Sequence, residues 1–379
     1  MRTAIVILNY NTKEYLRKFL PGLQASTQGL DAQVIVADNA STDGSAEMMK
    51  AVFPEVPLMV FEENYGFTGG YNKALDGLDA EFYVLINSDI EVPRNWLKPL
   101  LDWMDSNPDC GACGPKLISY YDRSSFEYAG AAGGYLDRYG YPFCRGRMLQ
   151  KLEKDNGQYN NPENVLWCSG ACLMVRSSVL KSLGGLDNRF FAHMEEIDLC
   201  WRMQLAGWKV TNVPESEVYH IGGGTLPNES PFKLRLNFRN NLLLLENNLP
   251  ATFMAISHSK HITSSHTEPI KRCHSEHTTG CHCKHITSCH SEHTTGCHSE
   301  RSEESICRNR TRRRILVRML LDGCSALVYL LKGKWSFCKA VIQAHKEYRQ
   351  LRTPGIIPAN PKLPEGLYNG WIVPKGLLR

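Results

Sequence analysis

Short apolar runs in the first part of the chain have the length and β-branched content of buried strands, and each ends abruptly in polar residues. Three of them are TAIVILNYN at residues 3–11, QVIVADNASTDGS at 33–45 and AEFYVLINSDIEV at 80–92. An open α/β sheet binds its ligands beyond the carboxyl ends of its strands. The polar ends of these runs are therefore the first place to look for a functional site.

Helical patterns alternate with these runs. The first run is followed by apolar residues at i, i+3, i+4 and i+7, namely Leu16, Phe19, Leu20 and Leu23. Pro21 should kink that helix. The alternation of strands and helices predicts an α/β fold with a doubly wound, mostly parallel sheet.

The composition is that of a globular protein and argues against a nucleic-acid partner. The chain has 379 residues, 42% of them hydrophobic, which is enough for one large core and an appendage. Its net charge of +4 is too small to indicate nucleic-acid binding. The chain starts a strand almost at once, without a charged leader or an apolar signal region, which favours the cytoplasm. In that reducing compartment the fourteen cysteines are expected to be free thiols.

A segment rich in histidine and cysteine occupies residues 257–307. It holds ten of the thirteen histidines, and CHSEHTTGCH occurs identically at 273–282 and 289–298. Because the segment has almost no large apolar residues, it is predicted to be a disordered insertion. The Cys-His-Cys stretch at 281–283 could chelate zinc, but the ligand spacing and apolar support of a structural zinc site are missing.

Eight further segments carry a family resemblance. In chain order they are IVILNYN, VIVADNASTDGS, ENYGFTGGYNKAL, YVLINSD, WCSGACLMVRSSVL, GGLDNRFFAHMEEIDLCWRMQLAGW, VYHIGGGT and FRNNLLL. Together they resemble the family 2 glycosyltransferases, and most of all the bacterial rhamnosyltransferase-type enzymes that build surface polysaccharides. The resemblance covers residues 3 to about 250 and, more loosely, 308–350. It implies a GT-A fold, a nucleotide-diphosphate sugar donor, a divalent cation and inversion at the anomeric carbon.

The resemblance and the repeat segment together predict three parts. Residues 1–256 form the nucleotide-sugar transferase domain, 257–307 the insertion and 308–379 a helical tail. The apolar run of the tail is short and is interrupted by Arg318 and Asp322, which argues against a membrane-spanning helix. Its flanking basic clusters fit a helix on an anionic membrane surface. A helical appendage packed on the catalytic domain fits equally well.

Donor contacts are predicted at the strand ends and in the glycine-rich segment 63–75. The candidates are Asn9, Asp38, Asn64, Gly66, Asn87 and Asp89. The resemblance implies that Asp38 binds the base or the ribose of the donor. In the structural alternative, Asp38 and Ser41 are turn or helix-capping residues. The glycines of 63–75 are placed before a helix, where they bring backbone close to phosphate or simply form a turn.

A metal site is predicted around Asp89, which stands where the family carries its D-x-D-like element. The first acidic residue of that element is absent, but one carboxylate suffices for Mg²⁺ or Mn²⁺ because such ions take further ligands from substrate phosphates and water. By resemblance His220 is the second protein ligand, and an imidazole suits Mn²⁺ better than Mg²⁺. The alternative is a structural histidine.

The catalytic base is predicted in a helix that begins near Met194. Glu195 and Glu196 lie in its first turn, where the helix dipole favours an ionised carboxylate. The resemblance gives the base role to the second position, Glu196, with Glu195 as the alternate. Asp198 and Arg202, four residues apart, are most simply an ion pair that anchors the helix.

The acceptor side is predicted at residues 167–175. The resemblance makes Gly170 and Ala171 part of the acceptor wall, and tight backbone packing is the alternative. Trp167 could stack on a sugar or fill the core.

These expectations combine into an inverting transferase that uses a nucleotide-sugar donor, with dTDP-rhamnose as the first guess. The acceptor is a hydroxyl of a saccharide or a polyprenyl-diphosphate-linked sugar in cell-surface polysaccharide synthesis. The alternatives are a sugar nucleotidyltransferase, which would release pyrophosphate, and a catalytically inactive sugar-binding homologue.

Overall fold

The computed structural model describes residues 1–128, 130–148, 151–222, 230–265, 293–370 and 372, with backbone alone at 260–265 and 293–301. The strands, in chain order, are β1 (Thr3–Asn9), β2 (Ala32–Asp38), β3 (Leu58–Val60), β4 (Phe82–Ile86), β5 (Ile90–Glu91), β6 (Cys110–Ser119), β7 (Gly134–Asp137), β8 (Pro142–Cys144), β9 (Arg147–Met148), β10 (Lys151–Leu152), β11 (Glu163–Asn164), β12 (Cys172–Arg176), β13 (Lys209–His220) and β14 (Leu367–Tyr368). The helices are α1 (Lys13–Ser26), α2 (Ser45–Val52), α3 (Gly66–Leu75), α4 (Leu97–Ser106), α5 (Ser177–Ser182), α6 (Glu195–Leu205), α7 (Pro231–Ser265), α8 (His293–Leu331) and α9 (Trp335–Leu351), with a 3₁₀ turn at Asn188–Phe190.

The main sheet is mixed and mostly parallel, as the sequence predicts. Its strand order is β11-β13-β6-β12-β4-β1-β2-β3, with β5 paired to β13. β1 pairs in parallel with β2 and β4, and β13 pairs in parallel with β6, whereas β12 is antiparallel to β4 and β6. The register pairs Asn9 with Asp38, so both strands end at the same edge. A smaller sheet has the order β10-β9-β8-β7-β14.

Both faces of the main sheet are covered, which explains why its central strands are apolar without interruption. Successive residues of β1 point to opposite faces: Ala4 and Val6 belong to one buried cluster, Ile5 and Ile7 to the other. The predicted helix packs on the second cluster through Leu16, Leu20 and Leu23 and is continuous across Pro21.

The glycine-rich segment differs from the prediction. α3 begins at Gly66, so Gly69 and Gly70 lie inside the helix and not before it. A Cβ at Gly70 would lie 2.7 Å from Leu8 Cδ2, and one at Gly66 would lie 2.5 Å from the Phe191 ring. These glycines therefore allow α3 to pack closely on β1 and on the chain around Phe191.

The C-terminal helices are packed, through α7, on the part of the chain that carries the main sheet. α8 and α9 contact α7, and α7 contacts α6. Arg318 Nε lies 2.8 Å from Asp322 Oδ1, and His345 Nε2 lies 3.3 Å from Asp322 Oδ2. Arg318 and Asp322 are both buried, whereas Leu316 and Leu320 on the same helix are exposed. Within the described residues, no helix is both long enough and apolar enough to cross a membrane.

Helices extend from both sides into the His/Cys-rich segment at residues 257–307. α7 extends to Ser265, beyond the predicted boundary at 256, and α8 begins at His293. Ser257 Oγ donates a hydrogen bond to Glu303 Oε1 at 2.5 Å. The Cys-His-Cys stretch at 281–283 lies outside the described residues. The assignment of a separate insertion stays a prediction.

We expect Asp322→Ala to lower the free energy of unfolding by about 3–5 kcal/mol, because it leaves the buried Arg318 charge uncompensated. Leu320→Gln is the matched control on the same helix, and its exposed side chain should change stability by no more than about 0.5 kcal/mol. Denaturant titration of the two variants checks this. Equal stabilities would contradict the buried ion pair.

Candidate active site

A cleft of about 470 Å³ lies at the carboxyl edge of the main sheet. Its volume is in the range of small-molecule sites. Among the predicted residues, the cleft is lined by Asn64, Gly66, Asn87, Asp89, Gly170, Ala171, Glu195, Glu196 and His220. The structure thus brings donor, acceptor, metal and base candidates into one cavity.

Asn9 and Asp38 are predicted donor contacts, but neither lines the cleft. Asn9 is fully buried, and its Nδ2 donates to Asp38 Oδ2 at 2.7 Å and to Ser41 Oγ at 3.0 Å. The Ser41 N–H donates to Asp38 Oδ1 at 2.9 Å. These two side chains join the ends of β1 and β2, because the turn after β2 needs partners for its polar groups. Their contact with the donor stays a prediction.

Asn39, the residue after β2, reaches the cleft instead. Its Nδ2 donates to Asn64 Oδ1 at 2.9 Å and to the Gly66 carbonyl at 3.0 Å, and its Oδ1 accepts from the Tyr65 N–H at 3.0 Å. Asn64 Oδ1 also accepts from the Gly66 N–H at 2.8 Å. This network fixes the start of α3 against the end of β2. Asn39 directly follows the end of β2, and this position could have identified it from the sequence.

Asp89 and His220 meet where β5 pairs with the end of β13. His220 Nε2 lies 3.2 Å from Asp89 Oδ1, and Nδ1 lies 3.3 Å from Glu127 Oε1. Burial lowers the pKa of His220, but the charges of Glu127 and Asp89 outweigh it and raise the pKa to about 10. The two carboxylates therefore hold a positive charge at this position. Glu127 was missed, since nothing in its local sequence relates it to His220.

The two glutamates open α6, as predicted. Glu195 is buried and Glu196 is half-buried, and among the described residues neither Oε2 atom has a hydrogen-bond partner. Burial raises the pKa of Glu196 to about 7, against backbone hydrogen bonds that lower it. Burial and the nearby Glu196 raise the pKa of Glu195 well above its usual range. A carboxyl group that titrates near neutral pH can act as a general base.

The body of α6 is anchored by the predicted ion pair. Arg202 Nε lies 2.7 Å from Asp198 Oδ2, and Asp198 is fully buried. Asn247 and Asn248 of α7 each donate to Asp198 Oδ1 at 2.9 Å. The prediction of an anchoring pair is confirmed, and α7 adds a second set of bonds that the sequence did not reveal.

On the predicted acceptor side, Gly170 and Ala171 line the cleft but Trp167 does not. A Cβ at Gly170 would lie 3.3 Å from the Cβ of Glu196, so a larger residue would crowd the glutamate. Trp167 is buried against Gly134, and its Nε1 donates to the Tyr135 carbonyl at 3.3 Å. Of the two roles that the sequence leaves open for Trp167, its burial favours filling the core over stacking on a sugar.

The family model for glycosyl transferase family 2 matches residues 4–184. An N-acetylglucosaminyl-diphospho-decaprenol L-rhamnosyltransferase of Mycobacterium tuberculosis is 31% identical over 239 residues, which cover 57% of this chain and 75% of that protein. The chain belongs to the family 2 glycosyltransferases. This confirms the resemblance and its rhamnosyltransferase-like character.

More distant comparisons agree with this glycosyltransferase assignment. Rhamnosyltransferase WbbL of Escherichia coli K12 is 24% identical over 227 residues, covering 57% of this chain and 82% of that protein. A crystal structure of GalNAc-T7 with UDP, GalNAc and Mn²⁺ superposes with a TM-score of 0.50 at 15% identity, covering 70% of this chain and 54% of that one. At this identity the likeness shows the fold alone, and that fold is GT-A. The nucleotidyltransferase alternative is not favoured.

Among the described residues, no group of three or more His, Cys, Asp or Glu side chains is arranged to hold a metal ion. Asp89 and His220, the two predicted ligands, both line the cleft, and His220 Nε2 lies 3.2 Å from Asp89 Oδ1. Oxygen and imidazole donors of this kind suit Mn²⁺. The positive charge that Asp89 and Glu127 already stabilise on His220 shows that the surroundings favour a cation.

Proposed function

We propose that this chain is an inverting glycosyltransferase that moves a sugar, with rhamnose the first candidate, from a nucleoside-diphosphate donor. The acceptor is a hydroxyl of a saccharide, such as one linked to a polyprenyl diphosphate, in cell-surface polysaccharide synthesis. The observation that carries this is one cleft that contains both Glu196, with a pKa of about 7, and the Asp89–His220 pair. The mycobacterial relative, a rhamnosyltransferase of a decaprenol-diphosphate-linked acceptor, supports the sugar and acceptor classes.

Glu196 acts as the base in this proposal. Its carboxylate takes the proton of the acceptor hydroxyl, whose oxygen forms a bond to the anomeric carbon of the donor sugar. The bond from that carbon to the diphosphate oxygen breaks, and the nucleoside diphosphate leaves with its electron pair. A displacement of this kind inverts the anomeric centre.

Asp89 and His220 would hold the divalent cation, Mg²⁺ or Mn²⁺. When bound, such an ion supplies positive charge that stabilises the departing diphosphate. The chain would contribute two ligands, and donor phosphates and water could supply the others. His220 must lose a proton before its Nε2 can bind a metal. Glu127, which lies against Nδ1, would then keep the imidazole ring oriented. Lys233 of α7 also lines the cleft and adds a cation suited to phosphate.

Glu196→Gln should lower kcat by about a hundredfold or more with little change in donor KM, because a base contributes little to nucleotide binding. In the wild type kcat/KM should rise with pH to a plateau above about 7, since only the carboxylate accepts the proton. Nucleoside-diphosphate release with and without a lipid-linked acceptor measures both. Glu195→Gln is the control: if it is the more damaging change, Glu195 is the base. Release of pyrophosphate would indicate a nucleotidyltransferase.

Asp89→Ala should remove metal-dependent turnover, at a loss of about a hundredfold or more, while the fold is retained. Asp102→Ala, an exposed aspartate on α4, is the control and should keep full activity. Turnover measured across a Mn²⁺ titration checks both. Near-normal wild-type rates after chelation would rule out the metal assignment.

We also propose that the enzyme works at the cytoplasmic membrane surface through α8. Exposed leucines at 316, 320, 327 and 331 recur on one side of this helix. The exposed Arg312 and Arg313 precede them. Apolar residues beside cations fit an anionic membrane surface, where polyprenyl-linked acceptors reside.

Leu320→Gln/Leu327→Gln should weaken binding to phosphatidylglycerol vesicles by about tenfold, since both side chains are largely exposed and would enter the lipid interface. Val52→Gln/Val60→Gln, which alters exposed valines on α2 and β3, is the control. Vesicle cosedimentation at two salt concentrations measures the affinity. Equal effects of the two double variants would rule out α8 as the contact.

A further inference from the structure

The chain before the two glutamates has an unusual backbone. Phe191, His193 and Met194 have φ angles of 63°, 72° and 72°, in the left-handed region that side chains other than glycine rarely adopt. The stretch leads directly into Glu195 and Glu196, and Phe191 and His193 line the cleft. Backbone of this kind persists when neighbouring contacts enforce it.

Asn240 of α7 supplies those contacts. Its fully buried Nδ2 lies 2.9 Å from the Phe190 carbonyl oxygen, 2.8 Å from that of Ala192 and 2.7 Å from that of His193. Two amide hydrogens are thus shared among three acceptors. Arg239 Nε donates to Asn240 Oδ1 at 2.8 Å, and Arg239 Nη2 donates to the Phe190 carbonyl at 2.7 Å. All of the polar atoms of Asn240 are engaged.

The remaining carbonyls of the stretch are also bound. The Phe191 carbonyl accepts from the N–H groups of Phe67 at 2.6 Å and Thr68 at 3.2 Å, at the start of α3. The Met194 carbonyl accepts from the Asp198 N–H at 3.0 Å, which forms the first turn of α6. Residues 190–194 therefore link α7 and the donor-side helix α3 to the glutamates.

We propose that Asn240 is a positioning residue for the catalytic base. It binds the carbonyls of residues 190, 192 and 193 and so holds Phe191, His193 and Met194 in the left-handed conformation, which starts α6 at Glu195 with both carboxylates in the cleft. The proposal rests on the proposed function, in which Glu196 is the base. Asn240 does not line the cleft and touches no substrate in this role.

α6 has an anchor that does not involve Asn240, and this distinguishes a positioning role of Asn240 from a general role in stability. The body of the helix is held through Asp198 by Arg202, Asn247 and Asn248. Loss of Asn240 leaves that anchor in place and releases the strained turn ahead of it. The expected consequence is a folded enzyme whose first turn of α6 is displaced, and not an unfolded one.

Asn241 offers a matched control. It is the next residue of α7 and is equally buried, but its Nδ2 donates to the Gly140 carbonyl at 2.6 Å and its Oδ1 accepts from Arg318. Asn240→Ala should lower kcat by at least about tenfold while donor KM stays within about twofold. Asn241→Ala should lower the melting temperature by a similar amount and leave kcat within about threefold of wild type.

Met194→Gly tests the strain directly, because glycine adopts a positive φ at no steric cost. In the Asn240→Ala background it should restore kcat several-fold. Amide hydrogen exchange gives a readout that does not need turnover. The amides of residues 195–198 should exchange at least about tenfold faster in Asn240→Ala and should be unchanged in Asn241→Ala.

Equal exchange at 195–198 in both variants would overturn the positioning role, as would a loss confined to donor KM. If exchange responds as expected but the wild type transfers no sugar, the proposed function fails and the control of this turn by Asn240 stands. If Asn240→Ala does not fold, Asn240→Ser, which keeps a short polar side chain, is measured by the same exchange experiment. Wild-type exchange in that variant would likewise overturn the proposal.

Discussion

Buried backbone polar groups around an irregular site must be hydrogen-bonded, and in this protein asparagine side chains meet much of that requirement. On the donor side Asn9 joins the ends of β1 and β2, and Asn39 and Asn64 hold the start of α3. On the other side Asn240 binds the carbonyls before α6, and Asn248 binds its buried aspartate. An amide side chain both donates and accepts without a charge, so it can complete such networks without adding an electrostatic field to the cleft. The charges there come from the residues to which the proposed mechanism gives a role.

Those charged residues are held against a cost in stability. The Oε2 atoms of Glu195 and Glu196 have no partner in the described part of the chain, and burial penalises their ionised forms. The same burial brings the pKa of Glu196 to about 7, where a carboxylate is basic enough to take a proton and is still ionised at neutral pH. The instability and the proposed reactivity therefore have one origin. The left-handed turn before α6 leads directly into these two glutamates.

The parts of this design that local sequence could predict are those with a local cause. The strands end where apolar runs give way to polar residues, and α6 begins within one residue of the expected position. The Asp198–Arg202 pair follows from four-residue spacing on a helix. The sequence left Trp167 open between a sugar contact and the core, because its burial depends on Gly134, which is distant in the chain. The contacts of Glu127 and Asn240 also join distant segments, and no periodicity encodes such pairs.

The C-terminal helices show what hydropathy alone cannot predict. Arg318 and Asp322 interrupt the apolar run of α8, yet the structure buries these two charges and exposes Leu320 and Leu327. The reversal has a physical reason: the charges are paired with each other and with His345 of α9, so they can be buried between helices. A row of exposed leucines on one side of a helix is the kind of surface that a membrane or a protein partner covers. α7 packs against α8, carries Lys233 to the cleft and carries Asn240 to the turn before α6. One helix therefore contacts both the helical tail and the residues that shape the cleft.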